Sequence, residues 1–259
     1  MTSLRQGLSL KKSGVISLVG AGGKTSLMFR LAHELSAAGE TVLTTTTTKI
    51  MRPTEAQSRH LILSSSPSEI IDAAGAALKL SPHVSAAADH ASPHDKLIGF
   101  SPETIELFLK SNLFRWIIVE ADGAARRPLK APRPYEPVIP GCTKWVIGML
   151  GLSAFGKPLD ETTVFQPELV AGITGLDVGM PIIADTLCDL LVHQQGIFQG
   201  TPADAQKIAF LNQADIPKMA QAGRSIVKCL DRHKGIDLSR VIIGSTWSDP
   251  PILECHDLP

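Results

Sequence analysis

An α/β fold, with a mostly parallel sheet and helices on both faces, is what three features of this 259-residue sequence predict. Short, wholly apolar runs alternate with amphipathic stretches, glycine, proline or polar turn residues bound the runs, and no internal repeat or long linker divides the chain. Strands buried on both faces read as unbroken apolar runs, so segments such as VISLV favour a covered parallel sheet over a half-exposed antiparallel one. The length suits one large domain or two small ones, and without a dividing linker residues 1–259 are expected to form a single one.

The elements follow in order. VISLV at 15–19 runs into glycines and predicts a buried strand ending in a turn. Residues 24–38 set Leu27, Leu31 and Leu35 four apart with Gly39 at the stop, which predicts a helix. The β-branched segment 41–47 predicts the second strand. SPHVSAAADHASP at 81–93 is small, polar and histidine-bearing, and reads as a hairpin or surface loop inserted near 81–100. The alternation resumes with a helix over 102–110, strands at 116–119 and 145–150, and a helix at 181–193. A strand at 208–211, a helix at 216–232 and a strand at 241–244 close the pattern. Between them, the 122–140 loop DGAARRPLKAPRPYEPVIP has five prolines and a basic cluster, so it is not helical throughout; ordered loops of this length are usually functional.

Composition narrows the function. With 44% hydrophobic and 19% charged residues the chain is too apolar to be disordered. Twenty-five Lys+Arg balance 25 Asp+Glu, so no global field draws nucleic acid or an anionic membrane, and anion binding has to be local. The longest apolar stretch, 145–156, is well short of the roughly 18 residues of a membrane span, and the first fourteen residues lack the apolar core of a secretory signal. Cys142, Cys188, Cys229 and Cys255 are scattered without a CxxC pair, which argues against a zinc site and a disulfide framework. A reduced, cytoplasmic protein is expected, without nucleic-acid or membrane partners and with a homodimer as one option.

Gly20-Ala21-Gly22-Gly23-Lys24-Thr25-Ser26 lies between the first strand and its helix. That is the context of a phosphate loop: glycines turn backbone N–H groups inward around an anion, the helix N-terminus adds its dipole, Lys24 reaches the β/γ-phosphates and the Thr25 hydroxyl binds Mg²⁺. A full GxxxxGK[ST] motif needs glycine at Leu18, so this is the shorter GxxGKT form. The competing reading is a glycine-rich turn with an incidental Lys-Thr.

WIIVEADG at 116–123 is a buried strand ending in two carboxylates. Ligands of open α/β sheets sit at the carboxyl ends of strands, which aims Glu120 and Asp122 at the phosphate loop. One is expected to hold Mg²⁺ and the other to orient an attacking water, unless both are solvated strand-end acids. IAFLNQAD at 208–215 has the shape of the guanine-reading NKxD element, with Gln213 in place of lysine; Asn212 and Asp215 are the base-binding candidates. Its alternative is an Asn turn with Asp215 capping the next helix.

Thr47, Thr48 or Lys49, after the second strand, are placed to touch Mg²⁺ or the γ-phosphate, although a threonine run also follows from β propensity alone. Arg126, Arg127 and Lys130 offer cationic clamping of a phosphate, or form a solvated basic loop. His83, His90 and His94 with Asp89 and Asp95 have a metal-like composition, but Pro93 breaks the helix that would align them, so they are read as surface histidines.

LVGAGGKTSLMFRLA, TTTTTKI, VEADGAARRPLKAP with YEPVIP, and LNQAD together resemble the YqeC family, described as accessory proteins of selenium-dependent molybdenum hydroxylases. The resemblance spans about 14–245 and implies a P-loop NTPase-like fold related to metal-insertion and cofactor-maturation GTPases. It implies Mg²⁺ with GTP or ATP as ligand, and a molybdenum hydroxylase or its cofactor as the partner. Where that family is expected to carry His-Arg-Pro-Glu, this chain has Phe165-Gln166-Pro167-Glu168. Transfer of a phosphoryl or nucleotidyl group to a small cofactor precursor, and a binding module that nucleotide merely stabilises, are the alternatives to hydrolysis.

Overall fold

The computed structural model describes residues 2–91, 95–233 and 235–258. The chain opens with a one-turn helix α1 (Leu4–Gly7), then β1 (Gly14–Gly20), α2 (Lys24–Ala37), β2 (Val42–Thr46), β3 (Lys49–Met51), β4 (Leu61–Leu63) and α3 (Pro67–Ala77). It continues through β5 (His83–Ala87), β6 (Asp89–Ala91), β7 (Lys96–Ile98), α4 (Pro102–Lys110), β8 (Trp116–Glu120) and β9 (Leu129–Lys130). The second half carries β10 (Thr143–Gly151), β11 (Val164–Phe165), α5 (Pro167–Thr174), α6 (Ala184–Val192), β12 (Gln206–Asn212), α7 (Pro217–Leu230), β13 (Arg240–Gly244) and β14 (Ile252–Asp257). Ser66 and Ser101 cap α3 and α4, each followed by proline at the first helical position, where its fixed φ costs nothing.

Nine strands form the central sheet in the order β14-β13-β12-β10-β1-β8-β2-β5-β4. All neighbours pair in parallel except the edge strand β14, which returns antiparallel to β13. This mostly parallel sheet with helices on its faces is consistent with a P-loop NTPase-like fold.

Alternation along each strand divides the core. Ile16 and Leu18 of β1, and Trp116 and Ile118 of β8, pack with Leu27, Leu31 and Leu35 of α2. Val15, Ile117 and Val119 face the other way, against Ile70 of α3 and Ile105 and Phe108 of α4. On that same side, Val146, Ala209 and Val241 lie under Leu187 of α6 and Ile226 of α7. Both sheet faces are therefore closed by apolar side chains, and polar groups concentrate at the strand ends.

The 81–100 region departs from the sequence expectation in its first half. His83–Ala87 is a wholly buried strand of the central sheet, and only Asp89–Ala91 and Lys96–Ile98 form a hairpin, to which β3 adds a third strand. The run HVSAA has one β-branched residue, so propensity did not mark it, while pairing with β2 and β4 supplies the burial. His83 is accordingly no surface histidine. It is buried, its Nε2 lies 2.9 Å from Thr44 Oγ1, and burial aided by His33 and His60 pushes its pKa down to about 4. His90 is exposed and pairs with Asp95 at 3.0 Å. His94 lies outside the described residues. Among the described residues no helix is long and apolar enough to cross a membrane.

Candidate functional site

The carboxyl ends of β1, β8, β2, β10 and β12 meet at a cleft of about 1040 Å³, lined in part by Gly22, Gly23, Lys24, Thr25, Ser26 and Glu120. Gly20, Gly22 and Gly23 all have left-handed φ, at 86°, 83° and 124°. A Cβ on Gly22 would sit 2.5 Å from the backbone of Gly151, and one on Gly23 would sit 2.3 Å from Asn212 Nδ2, so the loop needs glycine for conformation and for close approach. Ala21 donates its N–H to Met149 O at 2.9 Å, and Gly20 donates its own to Asp122 Oδ2 at 3.1 Å.

Beyond those two amides the donors change character. Gly23 caps α2 without a side-chain acceptor, and among the described residues no acceptor engages the amides from Gly22 to Ser26. Open N–H groups and the positive end of a 14-residue helix thus face one cleft.

Thr25 and Glu120 stand together there, with Thr25 Oγ1 donating to Glu120 Oε2 at 2.7 Å. Burial raises the Glu120 pKa and the Asp122 charge adds to it, while Lys24 and the Thr25 hydroxyl oppose the rise. Two hard oxygen donors at the mouth of an anion cradle, one of them a carboxylate that burial leaves short of positive charge, fit Mg²⁺.

A consequence for stability follows from the raised pKa. The stability that protonated Glu120 contributes is complete below its ordinary value of 4.5 and is lost as pH rises through the elevated folded value. At pH 7.5, Glu120→Gln is therefore expected to raise the melting temperature of the nucleotide-free protein while abolishing any Mg²⁺ dependence of nucleotide binding. Melts over pH 5–8, with and without Mg²⁺ and nucleotide, check both halves; a lowered nucleotide-free melting temperature would overturn the assignment of Glu120 as a strained metal ligand.

Asp122 departs from expectation. It is 1% exposed and turned inward, with Lys24 Nζ 3.1 Å from Oδ1 and Lys130 Nζ 3.0 Å from Oδ2. The β strand ends at Glu120, so the two-residue alternation that would have kept both acids on one face lapses before Asp122. Lys24, read as a phosphate contact, lines the cleft but is only 4% exposed, its ammonium also donating to Gly20 O. Lys130 is no free clamp: it bonds Glu136 Oε2 and Gly123 O, both at 2.8 Å, as well as facing Asp122.

The NQAD element also does something other than its sequence suggests. Asn212 is buried; its Nδ2 donates to Gly22 O at 2.7 Å, and its Oδ1 accepts the Thr246 N–H at 2.9 Å. It braces the Gly20–Ser26 loop. Asp215 is exposed, does not line the cleft, and receives only a 3.4 Å bond from Ser248 Oγ. Neither does Asp215 cap α7, whose N-cap is Ile216 with no side-chain bond. Gln213, the residue that breaks the motif, is the one that lines the cleft. Its Oε1 is buried without a hydrogen-bond partner.

Arg126 and Arg127 line the cleft, joined by Lys49, Lys96 and Lys157. These five cations form no ion pair among the described residues. Ala125 and Arg126 hold left-handed φ of 45° and 61°, a costly conformation that presents the arginine pair at the rim. Thr48 is set back: its N–H bonds Thr46 Oγ1 at 3.1 Å, and it lines a second pocket of about 430 Å³ with Lys49, Lys96, Arg133, Glu136 and Phe165. Thr47 is tied to Val138 O at 2.7 Å. Gln166, in the departing FQPE segment, takes a left-handed conformation and accepts from Arg133 Nε at 2.9 Å, fixing that guanidinium over the Phe165 ring. Sequence reasoning missed Lys96, Lys157 and Trp247; the last is 81% exposed at the cleft edge.

Comparison with known proteins agrees with the resemblance. The family model described as YqeC protein matches residues 16–168. A relative from Escherichia coli (strain K12), described as "Uncharacterized protein YqeC", is 32% identical over 244 residues, covering 93% of this chain and 91% of the relative.

Proposed function

From the premise that the chain belongs to the YqeC family, we propose that it binds a Mg²⁺-nucleoside triphosphate at the Gly20–Ser26 loop and hydrolyses its terminal phosphoanhydride. The observation that carries this reading is the juxtaposition of unengaged amides at the start of α2 with the Thr25–Glu120 oxygen pair. Amides and helix dipole complement phosphate oxygens, Thr25 and Glu120 would hold Mg²⁺, and the ion when bound would offset charge on the leaving phosphates. Arg126, Arg127, Lys49, Lys96 and Lys157, without ion-pair partners among the described residues, would supply further positive charge around the terminal phosphate. Asp215 lies outside the cleft lining and is not placed to read guanine, so ATP and GTP both serve as ligands in this reading. Assistance to maturation of a molybdenum hydroxylase is the cellular role that the family resemblance brings.

A second reading, transfer of a phosphoryl or nucleotidyl group to a small acceptor, is favoured by the second pocket, which shares Lys49, Lys96, Gly123 and Ala125 with the first. A fixed guanidinium beside an aromatic ring suits an anionic, partly apolar acceptor. Mass spectrometry of the purified protein incubated with Mg²⁺ and each nucleoside triphosphate tests both. Release of inorganic phosphate with water alone is expected from the first reading; nucleotide binding without turnover until an acceptor is added marks the second. Absence of any bound nucleotide or melting-temperature shift with all four triphosphates would overturn both.

A further inference from the structure

Away from the cleft, α6 and α7 pack side by side over the β10–β13 face of the sheet, and their contact contains Cys188 from one helix and Cys229 from the other. His233 follows Cys229 by one helical turn, just past the end of α7, where its N–H bonds Leu230 O at 2.9 Å. One atom from each of these three side chains, two Sγ and an imidazole nitrogen, lies within 4.8 Å of the other two, and Cys229 Sγ is 4.0 Å from His233 Nε2. Both cysteines are buried and unpaired, while the histidine is exposed and opens the group to solvent.

We propose that Cys188, Cys229 and His233 bind a borderline-soft divalent cation of the Zn²⁺ class, with the fourth position open on the histidine side. Zn–S and Zn–N bonds of about 2.3 and 2.0 Å place tetrahedral ligands about 3.4–3.8 Å apart, so modest side-chain rotations close the observed group onto an ion. Two thiolates and a neutral imidazole give a site with net charge zero when a dication enters, and binding expels the two thiol protons to solvent. Arg232, the residue before His233, bonds Asp185 of α6 at 3.3 Å, a second link between the two helices. The bound ion would clamp the free end of α7 to α6. This site is independent of the nucleotide reading.

The reduced full-length protein, stripped with chelator, is titrated with Co²⁺ and then with Zn²⁺ against a chromophoric competitor. One equivalent of Co²⁺ with an intense near-ultraviolet thiolate charge-transfer band is expected, displaced by Zn²⁺. Cys188→Ser and Cys229→Ser should each remove the band, His233→Ala should weaken Zn²⁺ affinity roughly tenfold or more, and Cys142→Ser with Cys255→Ser should leave both unchanged. Lys24→Ala should also leave the band intact, which separates this site from the cleft. Because a serine variant could misfold, thiol labelling of the wild type supplies a second measurement: Zn²⁺ should slow modification of two of the four cysteines. No thiolate band in the wild type, or a band that survives both serine variants, would overturn the proposal, as would labelling that Zn²⁺ leaves unchanged.

Discussion

Asp122→Ala is expected to lower unfolding free energy by about 3–5 kcal/mol, the cost typical of removing one partner from a buried ion pair. Asp122 is 1% exposed, and its two oxygens face Lys24 and Lys130 while Oδ2 also accepts the Gly20 N–H. Without it, among the described residues, Lys24 would keep the Gly20 carbonyl and Lys130 one carboxylate, Glu136. The expected loss far exceeds what truncating a solvated strand-end acid costs, which is within about 0.5 kcal/mol. Urea unfolding measures it as a shift in midpoint at constant slope. Asp122→Asn should recover part of the loss by retaining an acceptor for Gly20. A shift below about 1 kcal/mol for the alanine variant would mean that the two lysines find other partners and that Asp122 is not the keystone of this cluster.

Lys24→Ala should have the opposite signature, small in stability and large in ligand response. Asp122 retains Lys130 when Lys24 is removed, so the nucleotide-free protein stays folded. Binding to the native state raises apparent stability by mass action, so loss of the phosphate contact should erase the Mg²⁺-nucleotide melting shift. Turnover should fall by about 10²–10³-fold, the range seen when one oriented donor to developing charge is lost. Lys24 Nζ engages Gly20 O and Asp122 and has a third N–H to offer, so a phosphate at the proposed site would share one ammonium with Asp122. Lys24→Arg, which keeps the charge and changes the donor geometry, is expected to recover less than the full melting shift. An unchanged melting shift in Lys24→Ala would remove the loop from the nucleotide site.

The alternating strand and helix pattern was legible because apolar runs and leucine spacing are local. Helix Pro102–Lys110 has its predicted bounds, and β1, α2, β8, β12 and β13 lie within two residues of theirs. Strands β4, β5 and β14 were not, since LIL, HVSAA and ILECHD acquire their roles from neighbours rather than composition. The position of the Gly20–Ser26 loop and its meeting with Glu120 were legible in the sequence because a loop at one strand's end and an acid at the next one's must meet in an open sheet. The roles of Asp122, Lys130 and Asn212 could not. Which cation neutralises Asp122 depends on how the proline-rich segment folds back, and what Asn212 bonds lies 190 residues earlier in the chain. Likewise, Cys188 and Cys229 show no spacing motif because two different helices bring them together.

The brace between Asn212 and Gly22 has a temporal meaning. The GAGGKTS segment is made first, yet the carbonyl of its middle glycine is held by a side chain from β12, which is itself pinned by the Thr246 amide beyond β13. A chain interrupted after residue 168 would contain every recognisable motif of the loop and lack the groups that hold it in shape. The shape of the loop thus depends on strands that lie late in the sequence. If the proposed nucleotide site is correct, a chain ending at residue 168 is expected to show no melting shift with Mg²⁺-nucleotide.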